Sequence, residues 1–482
     1  MFVRYLYLII LILLCFNAPA QQVVIKGNAK SYAGEIIKIK CYEDQVSFKE
    51  KELSRCKVDT NGNFQFKFEI KETLLSFIHL NVFKGILYIE PKKEYEIVLP
   101  KKVSKLPEDE LNPFFEETEF YVTVLNQGKN DLNKLIERFH KQYDDYVNRY
   151  FYLFKGKLDK NIIDSITTAI DQSFSGIDNL FFNQYKEYNY FSLRQMAYER
   201  NKEKLIESAF YKKPILYQNP AYMDLFNQVF SNFLAYYSKT RQGEKIPYYL
   251  IKEKSLKLIK KALSDTAILQ DDNLQDLIIA KSLFENFYKD DYPKESIVFM
   301  MDSLRIASKT KEIRIIANNI YDKITSLMVS YPAPDFELPD RNNKLQSLSG
   351  LNGKFVYLNF IDPQSYTSQQ DLEILNKMAS KNYPMLEIVT ICVCSKVEEM
   401  HKLLKGNSFN WKFLYYSNDS DLLKKYNVCA YPTYYLINPE GKLSMSPAFP
   451  PTDSSFEARY SDILKAWKKE IELRKSKKGL QH

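Results

Sequence analysis

The spacing of apolar residues changes twice along this chain of 482 residues, and each spacing admits a different kind of element. From residue 21 to about 104, apolar positions alternate or form short blocks. Val23-Val24-Ile25 opens one strand, and Glu35 to Cys41 forms a second. Phe64-Gln65-Phe66-Lys67-Phe68 alternates strictly, so three phenylalanines share one face. Ile86 to Ile89 and Tyr95 to Leu99 continue the pattern. Between them, Asp59-Thr60-Asn61-Gly62-Asn63 signals a turn, because Asn-Gly tolerates the positive φ of a tight hairpin. Short strands punctuated by turns predict a β-sandwich domain over 21–104.

From 105 to 330 the spacing becomes helical. Leu132, Leu135, Ile136, Phe139 and Tyr143 recur every three or four residues, as do Ile313, Ile316, Ile320 and Ile324. Pro214, Pro220, Pro247 and Pro293 mark helix ends or loops. An α-helical domain is expected here, with no motif for chemistry. The run Tyr150 to Phe154 suits a binding platform or, more commonly, core packing.

From 331 to 470, strand and helix patterns alternate. Phe355 to Phe360, Leu386 to Cys394 and Thr433 to Ile437 read as buried strands, and Asp371 to Met378 as a helix. That alternation indicates an α/β layer fold, so the whole chain is multidomain α+β. A basic tail, 471–482, follows. Its cluster from Lys465 to Lys478 could attract phosphates or acidic membranes, or could simply solvate a final helix and a frayed tail. Glycine numbers only 13, which argues against a large Gly-rich nucleotide-binding fold. The net charge of +8 is mild for this length and points to no nucleic-acid partner.

Residues 1–20 have the pattern of a secretory signal: Arg4, an apolar run from Tyr5 to Phe16, then Ala18-Pro19-Ala20. The run is short for a membrane span, which takes about 20 apolar residues, although an uncleaved anchor is the alternative. Cys15 would suit a lipoprotein, but Leu14 stands where such sites need a small residue. No other stretch is apolar enough to span a membrane. Export to the periplasm or cell envelope is therefore expected. It would leave Cys41, Cys56, Cys392, Cys394 and Cys429 in a disulfide-permissive compartment. A Cys41–Cys56 bridge is a candidate, worth about 3 kcal/mol for a loop of that size; two buried small residues are the alternative. Cys392 and Cys394 share one face of a strand and suit core packing. His79, His140 and His401 lie far apart, so no zinc site or other metal is expected.

Two resemblances add to this reading. The first segment resembles the β-sandwich that precedes thioredoxin-like domains in exported proteins of Bacteroidetes-type bacteria. It rests on Asn61-Gly62-Asn63-Phe64-Gln65-Phe66 and on the turn Glu90-Pro91-Lys92-Lys93, where Lys92 replaces the usual glycine. The last segment resembles the TlpA/ResA branch of the thioredoxin superfamily, including its peroxiredoxin-like relatives. Ala333 to Asp340, Leu351 to Phe360, and Tyr426, Val428, Pro432, Thr433, Leu436, Ile437, Gly441 and Lys442 match its motifs. The resemblance implies a C-terminal thioredoxin-like fold with Pro432 in the cis form, facing the active segment. The family's Trp-Cys-x-x-Cys then aligns without a gap on Gln364-Ser365-Tyr366-Thr367-Ser368.

Both cysteines are thus serine. Thiol–disulfide exchange needs a low-pKa thiolate at the helix start and a second thiol, and a serine hydroxyl stays protonated. Ser365 as a hydrolase nucleophile would need a base that no motif supplies. The sequence favours a redox-inactive scaffold or a peptide- or protein-binding module of the envelope. Gln364, Ser365, Tyr366, Thr367, Ser368, Tyr431 and Pro432 would line its groove, with no cofactor and with homo-oligomers allowed. The alternative is a thiol–disulfide oxidoreductase working through a non-standard thiol, Cys429.

Overall fold

A computed structural model of the chain describes residues 22–479, apart from 107–108, 110–114, 154–159, 198–201, 265–268, 290, 382–384, 395 and 417–421. The expected signal segment and Cys15 lie outside the described residues. The chain forms two compact units that part after Tyr321.

The first unit opens with a sandwich. Its strands are β1 (Gln22–Asn28), β2 (Ile36–Tyr42), β3 (Glu50–Lys57), β4 (Asn63–Glu69), β5 (Leu74–Leu80), β6 (Phe83–Ile89), β7 (Glu94–Val98), β8 (Thr118–Tyr121) and β9 (Thr123–Val124). They form two sheets, ordered β4-β1-β7-β9 and β3-β2-β5-β6-β8. Alternation fixes which side chains face inward: Phe64 and Phe66 are buried and Phe68 half-buried, with Ile25, Ile39, Leu87 and Tyr95 in the same core. In the turn before β4, Asp59 Oδ1 accepts from the amides of Asn61 and Asn63, both at 2.8 Å. Gly62 takes φ +91° there, and a Cβ would meet the Lys30 backbone at 2.6 Å, so only glycine fits. Lys92 adopts φ 65° in the turn where the family resemblance expects glycine.

Two features differ from the sequence expectation. β8 and β9 lie beyond residue 104, in the stretch assigned to helices. They are short edge strands, too short to show a period. Cys41 and Cys56 are both free thiols. They occupy neighbouring strands, but Cys41 pairs with Lys51 and Cys56 with Ile37. Four residues of offset along a strand is roughly 13 Å, beyond disulfide reach.

Helices follow: α1 (Leu132–Leu153), α2 (Lys160–Ser173), α3 (Leu180–Ala197), α4 (Lys202–Ala209), α5 (Pro220–Val229), α6 (Phe233–Tyr237), α7 (Ile246–Ile251), α8 (Leu256–Ser264), α9 (Asp272–Phe287), α10 (Lys294–Ala307) and α11 (Lys311–Thr325). α1 and α3 pack on the outer face of the β3-to-β8 sheet, where Tyr88 of β6 meets Phe181 and Tyr185. Asn133 of α1 grips the β6 backbone, accepting from Tyr88 N and donating to Tyr88 O, both at 2.9 Å. Asn319 of α11 donates to Asp44 at 2.9 Å. α9 is buried on most sides, and its buried carboxylate is paired: Asp276 accepts from Lys260 at 2.9 Å and from Ser308 at 3.1 Å. Tyr152, in the aromatic run, is 83% exposed rather than packed in a core, and Phe154 lies outside the described residues.

The second unit begins with a hairpin, β10 (Glu337–Pro339) and β11 (Leu345–Ser347). Its five-stranded sheet comprises β12 (Phe355–Ile361), β13 (Leu386–Val393), β14 (Lys412–Tyr416), β15 (Thr433–Ile437) and β16 (Leu443–Met445), in the order β14-β13-β12-β15-β16. β12, β13 and β14 run parallel, β15 runs antiparallel to β12, and β16 antiparallel to β15. The helices are α12 (Tyr366–Ser380), α13 (Val397–Leu404), α14 (Leu422–Lys425) and α15 (Ser455–Gly479). Every residue of β12 is buried, as a central strand between two helical layers requires. Val356, Leu358 and Phe360 face one core, and Phe355, Tyr357 and Ile361 the other. The residues from 471 to Gly479 continue α15 instead of forming a separate tail, since no Gly or Pro interrupts them and Glu470 pairs with Arg474 at 2.6 Å. No described helix is long and apolar enough to cross a membrane.

Candidate functional site

The site is built where β12 ends. Asp362-Pro363-Gln364 leave the strand, and Asp362 Oδ1 accepts from Gln364 N at 2.8 Å. Ser365 then caps α12: its backbone is extended and its hydroxyl accepts from Ser368 N at 3.4 Å. Serine at this position satisfies one of the free amides at a helix start. The helix therefore begins five residues before the stretch its apolar spacing indicated.

β15 brings the second half of the site. Thr433 pairs with Phe360, so Tyr431-Pro432 leads into β15 at the end of the sheet from which the Ser365 loop departs. The Tyr431–Pro432 bond is cis. Tyr431 is half-buried and packs against one core of the domain, and burial raises its phenol pKa. On the rim, Tyr366 is 73% exposed, and its hydroxyl accepts from Gln370 at 2.8 Å. Gln364 and Thr367 are exposed, and Gln364 donates to Glu399 at 3.2 Å.

Ser368 points the other way. It is fully buried, and its hydroxyl has no partner. The layer beneath it holds other polar groups. Asn359 of β12 donates to Val389 O at 3.1 Å, but its own carbonyl oxygen is unpartnered. Asp371, one turn along α12 and 3% exposed, accepts from the Tyr434 hydroxyl at 2.5 Å. Burial raises the Asp371 pKa, partly offset by the Tyr434 hydrogen bond. Sequence spacing passed over Asn359, Asp371 and Tyr434. Polar residues at core positions of a strand and a helix were the available signal.

The thiols are dispersed. Cys392 is buried in β13, and Cys394 is half-buried against the same core. Burial pushes the Cys394 thiol up to about 11 and that of Cys392 well above its ordinary value, so both stay protonated at neutral pH. Cys41, buried in the sandwich, is likewise pushed up to about 11. Cys429 is the exposed one, two residues before Tyr431, with Sγ 3.6 Å from Asn427 Oδ1. Among the described residues, no group of three or more His, Cys, Asp or Glu is placed to hold a metal ion.

Comparison with known proteins places this domain. Residues 352–443 match a family described as thioredoxin-like. A stretch of 129 residues is 31% identical to the thiol-disulfide oxidoreductase ResA of Bacillus subtilis (strain 168), covering 27% of this chain and 72% of that one. Among solved structures, the thioredoxin domain of a thiol-disulfide oxidoreductase from Bacteroides vulgatus is 19% identical, covering 29% of this chain and 97% of that one, with a TM-score of 0.25. A thiol-disulfide oxidoreductase from Bacteroides fragilis NCTC 9343 is 21% identical, covering 28% and 99%, with a TM-score of 0.25. Through its C-terminal domain, the chain belongs to the thioredoxin-like family that includes ResA.

Proposed function

We propose that this protein is an exported, redox-inactive relative of the thiol–disulfide oxidoreductases, and that its C-terminal domain holds an extended peptide or protein segment of the cell envelope without a covalent step. Ser365 and Ser368 stand in place of the family's two cysteines. The observation that carries the reading is the role of Ser365: its hydroxyl caps α12, in the position where exchange chemistry needs a thiolate. Ser368 is buried and offers no second thiol. Gln364, Tyr366, Thr367, Tyr431 and Pro432 supply an uncharged rim suited to backbone hydrogen bonding with an extended segment. The basic start and short apolar run of residues 1–20 support export.

The rival reading, an oxidoreductase acting through Cys429, draws on the exposure of that thiol beside the cis-proline loop. Insulin reduction under dithiothreitol separates the two. The expected rate is that of dithiothreitol alone, and a rate above it that Cys429→Ala abolishes would sink the scaffold reading. Binding is tested by fluorescence anisotropy with alkylated insulin B chain. Saturable binding that Tyr366→Ala weakens supports the groove, and its absence removes it. A Ser365→Cys/Ser368→Cys variant that gains reductase activity would mark the serines as the lost element.

A further inference from the structure

The amino ends of β12, β13 and β14, opposite the groove, carry a second arrangement. A cavity of about 610 Å³ opens there, with Arg341, Lys354, Lys412 and Glu387 among its walls. Arg341 sits in the turn between β10 and β11. Its Nη2 donates to the carbonyls of Phe409 at 3.3 Å and Trp411 at 2.7 Å, and its guanidinium lies 5.6 Å from the Phe413 ring centroid. These contacts hold the guanidinium in place but bring no negative charge. Glu387 is shared by Lys412 and by Lys354, the latter at 3.4 Å. Among the described residues, three cations therefore meet one carboxylate. The last turn of α12, whose Met378 and Ala379 also line the cavity, adds only about half a negative charge. A half-buried cation without a counter-ion is costly, and an anion removes that cost. The rest of the wall is mixed: the side chains of Asn342 and Asn410 are polar, and Trp411, Leu386 and Ile388 supply an apolar strip.

We propose that this cavity binds a small amphipathic carboxylate, its head on Arg341 between Lys354 and Lys412 and its apolar body against Trp411 and Leu386. The volume lies in the range of small-molecule sites.

The chain contains two tryptophans, Trp411 in this wall and Trp467 on α15. The Trp467 indole N–H has no partner, so Trp467→Phe leaves Trp411 as sole reporter at little cost to the fold. Full-length Trp467→Phe protein is titrated with dodecanoate below its micellar range, and with dodecanol and inorganic phosphate. The expected result is a saturable change in Trp411 emission with dodecanoate, with both controls binding at least about tenfold more weakly, the scale of one charge-assisted contact. Arg341→Gln should weaken dodecanoate about tenfold. Lys354→Gln, at a side chain 60% exposed and so safe for folding, should weaken it less. Equal binding of dodecanol or phosphate, no saturable change, or unaltered binding in both variants overturns the proposal.

Discussion

On the outer face of the sandwich, His79 lies between Glu117 at 2.5 Å and Glu50 at 3.1 Å, and Glu50 also takes Lys40 at 2.9 Å. Beneath the first turn of α12, by contrast, Asn359 and Ser368 keep polar atoms with no partner. The first set is charged, partly solvated and complete. The second is uncharged, dry and incomplete. Partly exposed charges keep water as a fallback, which weakens an isolated pair, but a carboxylate shared by two cationic partners in a network stabilises by more. Buried uncharged groups have no fallback, so each missing partner costs the fold directly. The sandwich network therefore reads as structure, and the incomplete layer marks the end of the C-terminal sheet where the candidate site lies.

The largest expected effect tests the complete network. Glu50→Ala strips the carboxylate shared by His79 and Lys40 and should cost about 2 kcal/mol in urea denaturation. Parental stability would place the network with weak surface pairs.

The same network sets a pH window. Burial alone would lower the His79 pKa, but its hydrogen bonds to Glu117 and Glu50 outweigh burial and raise it above 6.5. Its contribution is full below 6.5 and fades as pH rises through the higher folded value. Burial opposes ionisation of Glu50, but His79 and Lys40 hold its carboxyl down to about 2, so its contribution is full above 4.5 and fades as pH falls towards 2. Thermal melts should show the network at its strongest between these limits, and His79→Gln should flatten the alkaline side.

Asp371 runs the opposite way. Its carboxyl is raised by burial, so the folded state favours the protonated acid, and that contribution fades as pH rises. Tyr434→Phe removes the hydroxyl it accepts from and should cost about 1 kcal/mol. No loss would mean that a second donor serves Asp371.

Smaller still is Ser368→Ala. Deleting a partnerless buried hydroxyl should leave stability unchanged or raise it by up to about 1 kcal/mol, whereas a clear loss would reveal a partner for that oxygen. Lys92→Gly should add a few tenths of a kcal/mol, on the order of the left-handed cost of a side chain less the entropy of glycine.

Much of this was legible where one side-chain type settles one environment. Thr433 to Ile437 is all strand former and matches β15 residue for residue. The Asn-Gly turn before β4 has its own chemistry and was equally plain. The edge strands β8 and β9 were not legible, because two to four residues carry no period. The Cys41 and Cys56 offset was hidden because register depends on pairing across the sheet. Ser365 could be aligned by motif, but its cap was missed: a helix start is written in one polar side chain, not in apolar spacing. Arg341 was invisible, since its partners Phe409 and Trp411 come from the segment before β14, about seventy positions away.

The two serines also differ as starting points for evolution. Ser365 does for α12 what sulfur does poorly, and losing an N-cap costs about 1 kcal/mol. The Ser368 oxygen bonds to nothing, and a buried thiol behaves much like a small apolar group. Position 368 can therefore accept sulfur as a near-neutral change, while position 365 trades helix stability for reactivity.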